Sequence, residues 1–121
     1  DLFLDTHPYN AGTTASDALK MRLPMITYLG NSYQARMGAS IVNALNLPEL
    51  VANSLEEYEA LAIELATHPE KLKAIKDKLA SNLTTAPLYN TKLFVKNLES
   101  AYTTMYERHH EGLEPDHIYV E

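Results

Sequence analysis

The chain has no cysteine, which excludes disulfides and thiolate chemistry and fits a reducing, cytoplasmic setting. No stretch approaches the roughly 18 consecutive apolar residues of a membrane helix, and no basic, apolar leader opens the sequence, so no membrane contact is expected. Positive charge is scarce: 10 Lys and Arg stand against 16 Asp and Glu, for a net charge of −6. A general nucleic-acid surface needs a basic face and is excluded on that ground. A buried phosphate site is not excluded, because a few oriented backbone amides can dominate the local field whatever the distant charge is. Also missing are the Gly-x-Ser-x-Gly elbow, the Walker loop and His-Glu-x-x-His, so hydrolase-type catalysis has no support. There is no initial methionine either. Asp1 leads at once into an apolar segment, and the chain reads as a fragment.

What is present suits one globular domain: 121 residues, 45% of them hydrophobic. Leu2, Phe3 and Leu4 form a short apolar run, as in a parallel strand covered on both faces. A loop carrying Pro8, Asn10 and Gly12 then delivers Thr13 and Thr14 into a helix-forming segment, with Thr14 and Asp17 spaced as in a capping box. Pro24 stops that helix, and Met25 to Leu29 reads as a second strand. Two strands joined through a helix make a right-handed βαβ unit, with both following loops at one sheet edge. The second of these loops holds Gly30, Asn31 and Ser32.

Helical patterns dominate the rest. Residues 33–45 form a helix with Met37, Ile41 and Leu45 as its buried stripe, and Arg36 on it belongs either to a phosphate or, the favoured reading, to a surface or interdomain ion pair. Leu50, Val51 and Ala52 suggest a short edge strand. Ser54 and Glu57 form a capping box ahead of Leu55, Tyr58, Leu61, Ala62 and Leu65; Thr67 and Glu70, with Pro69 between, open a helix buried through Leu72, Ile75 and Leu79. Residues 84–87 read as a connector. A last helix from about Asn90 to Glu111 aligns Phe94, Leu98, Ala101, Tyr102 and Met105 on one side. It spans roughly 30 Å and is expected to extend across something this chain lacks. His109 and His110 point about 100° apart on such a helix, which does not suit a shared metal, and no metal site is expected.

Gly12, Thr13 and Thr14 ahead of a helix are the candidate phosphate cradle, since glycine admits close backbone approach and the threonines offer amides and hydroxyls together. Taken alone, the triplet is more simply a helix cap. Asp17 could take sugar hydroxyls, or merely complement the positive helix end.

The segments 1–6 (Asp-Leu-Phe-Leu-Asp-Thr) and 10–19 (Asn-Ala-Gly-Thr-Thr-Ala-Ser-Asp-Ala-Leu), with Leu23-Pro24, Gly30, Arg36, 87–92 and 115–117, resemble the C-terminal end of O-linked N-acetylglucosamine transferases, the bacterial branch in particular. The resemblance implies an α/β fold, the C-terminal part of a GT-B Rossmann-like lobe followed by a helical tail. Residues 1–52 would be a partial UDP-binding lobe, 53–86 a helical pair completing it, and 87–121 a long helix and tail crossing to a missing N-terminal catalytic lobe, with tetratricopeptide repeats ahead of that. It implies metal-independent, inverting transfer of N-acetylglucosamine from UDP-N-acetylglucosamine to Ser/Thr hydroxyls of proteins, with no cofactor. In this reading Thr13 and Thr14 are catalytic, stabilising the departing UDP, and Gly12 and Asp17 complete the donor site, Asp17 at the ribose. The acceptor site and base lie upstream, so the fragment alone should be inactive. Its sheet edge and apolar-faced helix could also pair with a second copy. Other readings are a GT-B transferase using another nucleotide sugar and a helix-rich protein-interaction module.

The chain departs from that family pattern at several places. Gly12 replaces a histidine of the animal enzymes, and Asn31 a common acid. Lys20-Met21-Arg22 stands for Trp-Ala-Gly, so the helix end must turn by another route or force a positive φ on Arg22.

Overall fold

Three short strands carry the fold in the computed structural model, which describes residues 1–120. Strand β1 (Phe3–Leu4), β2 (Met25–Tyr28) and β3 (Val51–Ala52) form a parallel sheet in the order β1-β2-β3. Phe3 faces Met25 and Leu4 faces Ile26; Thr27 faces Val51 and Tyr28 faces Ala52. β2 is central and all but Tyr28 of it is buried, as its apolar run requires. β1 has one neighbour only, and Leu4 is 53% exposed, so the expected cover on both faces is not found.

Helix α1 (Thr13–Lys20) joins β1 to β2, completing the βαβ unit. It ends without glycine. Arg22 takes φ 63°, its amide donates to Leu19 O at 2.9 Å, and Leu23 N reaches Ala18 O at 2.9 Å. This pair of bonds is a Schellman stop with arginine in the left-handed position. The positive φ is therefore the route the chain takes.

The expected helix over 33–45 is split. Gln34–Arg36 form a 3₁₀ turn, and α2 (Met37–Ala44) follows. Its buried stripe is Gly38, Ala39 and Val42, continued by Leu45, while Met37 and Ile41 are only half-buried. The face is rotated because Gly38 lies hard against Thr27 of β2, where a side chain as small as a methyl would already collide. α2 stops at Asn46, φ 56°, by the same Schellman bonds.

Pro48–Leu50 make a second 3₁₀ turn before β3. Ser54 caps α3 (Leu55–Thr67), its hydroxyl accepting from Glu57 N at 3.1 Å, and the Glu57 carboxylate reaches Asn53 N rather than the cap's own amide. Leu55 is exposed, so the buried side of α3 centres on Leu65. α4 (Pro69–Thr85) has His68 as its cap, not Thr67, whose hydroxyl donates back to Ile63 O within α3. α4 also absorbs Thr84 and Thr85, which were expected in the connector. Leu19, Met25, Ile26, Val42, Leu45, Leu47, Leu50 and Leu79 are fully buried and form the core. Each such side chain contributes about 1.5–3 kcal/mol.

The chain divides at Leu88 and Tyr89 into two units. The second holds a 3₁₀ turn's last residue, α5 (Thr91–His110) and the tail. Asn90 caps α5 by accepting from Leu93 N, and Gly112, φ 69°, ends it. No residue of α5 is buried, and Phe94, Tyr102 and Met105 are each at least half exposed. Among the described residues no helix is long and apolar enough to cross a membrane.

Candidate functional site

Parallel strands put the ends of β1 and β2 at one sheet edge, and the loops that follow them meet there. Between them lies a cleft of about 570 Å³, within the range of small-molecule sites, about 300–1,000 Å³. Thr6, Tyr9, Asn10 and Ala11 line it from the first loop; Gly12, Thr13 and Thr14 from the start of α1; Tyr33, Gln34 and Met37 from the second loop and α2.

The structure thus brings Gly12, Thr13 and Thr14 into one wall. Gly12 is the N-cap of α1, and no side chain caps the helix. The first bond of the helical ladder is Ser16 N to Gly12 O at 3.0 Å, so the amides of Thr13, Thr14 and Ala15 precede it, as first-turn amides do. The predicted Thr14–Asp17 capping box does not form, because with Gly12 as cap the acid falls in the second turn. Asp17 is exposed and does not line the cleft. No acidic or basic side chain lines it, and the positive end of α1 and the first-turn amides face it directly. Nothing within 4 Å opposes a Cβ at Gly12, which faces open space.

Arg36 makes no ion pair among the described residues, so the surface pair expected for it is not found within this chain. It lies in a neighbouring hollow with Tyr33, Met37 and Ser40, two of which also line the cleft. Tyr9 and Tyr33, both 71% exposed, bring aromatic rings to the cleft that the sequence reading passed over. Their only signal there was position, in loops after strand ends.

Within and behind the cleft wall lies a buried polar network that the sequence does not signal. Asp5 and Asn10 are polar and buried, at 7% and 2% exposure, and Thr27 is fully buried. Oδ2 of Asp5 accepts from the Thr27 hydroxyl at 2.7 Å, and Tyr58 of α3 donates to the backbone oxygen of Asp5 at 2.8 Å. Burial, and after it the charge of Asp5, pushes the Tyr58 phenol above its ordinary pKa. His7 packs its ring on Tyr28, centroids 4.5 Å apart.

In sequence, the chain is 39% identical over 99% of its length to the probable UDP-N-acetylglucosamine--peptide N-acetylglucosaminyltransferase SEC of Arabidopsis thaliana, of which it covers 12%. It is 33% identical over 98% of its length to the UDP-N-acetylglucosamine--peptide N-acetylglucosaminyltransferase of Caenorhabditis elegans, covering 10% of it. In structure, it superposes on a mutant of the Thermobaculum terrenum O-GlcNAc transferase with a TM-score of 0.80 at 31% identity, over 87% of this chain and 20% of that one. The chain therefore spans about a tenth of its curated relatives. Residues 1–98 match the glycosyl transferase family 41 pattern, and the chain belongs to that family.

Proposed function

We propose that this chain is the C-terminal part of the donor-binding lobe of a protein O-linked N-acetylglucosamine transferase. The complete protein moves N-acetylglucosamine from UDP-N-acetylglucosamine to Ser or Thr hydroxyls, without a metal or cofactor. The observation that carries this is the uncapped amide row of Thr13 and Thr14 at the wall of a ligand-sized cleft, in a chain of this family. In the reaction the acceptor oxygen bonds to the anomeric carbon while the bond from that carbon to the β-phosphate oxygen breaks. The electron pair leaves on UDP, and the hydroxyl proton passes to a base outside this chain. Negative charge grows on the diphosphate, and fixed N–H donors stabilise it where it develops. Thr13 and Thr14 would supply such donors through amide and hydroxyl together, Gly12 the close approach, and Asp17, exposed just outside the cleft, a hydrogen bond to the ribose.

The acceptor site, the other catalytic lobe and any tetratricopeptide repeats belong to sequence outside this chain, whose relatives are several times longer. The exposed apolar side of α5 would find its cover there. The interaction-module reading loses ground to the family match. The test is labelled-sugar transfer by the complete protein from UDP-N-acetylglucosamine and from other nucleotide sugars. Transfer from the first, abolished in a Thr14→Ala, Asp17→Ala double variant, supports the proposal; unchanged transfer by that variant sinks the site. Preference for a different donor overturns the sugar assignment.

A further inference from the structure

Asp5 does not line the cleft, yet its carboxylate ties together the loop that walls it. Oδ1 accepts from Thr6 N at 2.9 Å and from Ala11 N at 2.8 Å, the two ends of that loop. Oδ2 is held by the Thr27 hydroxyl of the central strand. Asn10 adds a second tie: its side chain donates to Thr6 O at 2.8 Å and accepts from Gly38 N at 3.1 Å, while its own amide donates to Gln34 O. Gly38 leaves room for this arrangement, since a Cβ there would come 2.3 Å from Asp5 Oδ2. Ala11 is bonded to Gly12, the cap of α1. The carboxylate is thus anchored to the sheet on one side and sits one residue from the cradle on the other.

Resting on the donor site proposed above, we propose that Asp5 is a positioning residue for sugar transfer, holding the amides and hydroxyls of Thr13 and Thr14 where charge develops on the departing diphosphate. A misplacement of about 1 Å in such a group can cost about 10²-fold in rate. The bond Asp5 makes to the loop is to Ala11 N, so what matters is an accepting oxygen at Oδ1 and not the negative charge itself. Asp5→Asn keeps that oxygen and lets its amide donate to the Thr27 hydroxyl.

The experiment is donor kinetics of the complete enzyme, with active sites counted by stoichiometric UDP titration, for Asp5→Ala, Asp5→Asn, Thr27→Val and the pair Asp5→Ala, Thr14→Ala. Asp5→Ala is expected to lower kcat per active site at least tenfold with the donor KM within threefold, and Asp5→Asn to recover most of that loss. The paired variant should lose less than the product of its single losses, because both act through one cradle. A purely structural role leaves kcat per active site unchanged, and an effect of Asp5 that bypasses the cradle gives independent, multiplying losses; either result overturns the proposal. Should Asp5→Ala fail to fold, Thr27→Val removes the Oδ2 anchor alone: a threefold or greater fall in kcat supports the proposal, and an unchanged kcat overturns it. If Thr14→Ala by itself leaves kcat intact, the donor site as drawn, with the Thr14 hydroxyl on the diphosphate, is wrong; if it does not while the Asp5 and Thr27 variants do, only the positioning role is.

Discussion

Replacing Gly38 by alanine probes the packing behind the cleft, and Gly12 supplies its control. A Cβ on Gly38 would lie 2.3 Å from both Asp5 Oδ2 and Thr27 Oγ1, and 3.0 Å from Thr27 Cβ. The two polar atoms are themselves bonded at 2.7 Å and buried, so neither can retreat without giving up the other. Overpacking of this kind costs about 1–3 kcal/mol, and a buried bond broken on one side about 1–3 more. Alanine's better helix propensity returns about 1 kcal/mol. The net expectation is a destabilisation of about 1–5 kcal/mol. Gly12 has open space where its Cβ would go, and its φ −103°, ψ −82° lies off the ordinary helical region. At an N-cap glycine is preferred to alanine, so Gly12→Ala is expected to cost about 0.5–2 kcal/mol, none of it from overpacking. Urea unfolding of the two variants beside the parent reads both numbers. Equal midpoints for Gly38→Ala and the parent would refute the packing reasoning.

Arg22→Gly removes a left-handed arginine that costs about 1–2 kcal/mol, against about 0.4–1 kcal/mol of added unfolded-chain entropy. Its melting temperature should rise slightly, and a fall would show that the Arg22 side chain contributes more than its φ costs. Asn46→Gly should change less, because asparagine tolerates φ 56° better than arginine tolerates its own. Tyr58 has its pKa raised in the folded state by burial and by Asp5, so its contribution is fully present below the unfolded tyrosine value near 10 and is lost as pH climbs through the folded one. Tyr58→Phe should lower stability at pH 7 through the lost bond to Asp5 O and make the decline above about pH 10 shallower. An unchanged alkaline slope would assign that decline to other groups.

The βαβ frame was legible because Leu2–Leu4 and Met25–Leu29 are short apolar runs, separated by loop formers and a proline that stops α1. The cleft wall at Gly12, Thr13 and Thr14 was legible for the same reason, since parallel strands fix where their loops go. Other features were hidden by physics that spacing does not record. The Thr14–Asp17 box failed because the cap fell two residues earlier, on Gly12. The stripe of α2 was misplaced because apolar periodicity counts large side chains, while close approach to a strand selects Gly38 and Ala39. The Asp5 network joins residues 22 and 28 positions apart, through Thr27 and through Asn10 with Gly38, and no local pattern signals such pairs. Arg22 looked like a defect against the family's glycine, and the Schellman bonds around it show that the turn is kept at the cost of strain.

The central claim is that the start of α1 receives the diphosphate of the sugar donor. A crystal structure of the complete enzyme with UDP tests it most directly. The account predicts the β-phosphate within hydrogen-bond distance of the Thr13 and Thr14 amides, in the cleft bounded by Tyr9 and Tyr33. A diphosphate bound elsewhere, with those amides facing solvent, would contradict it.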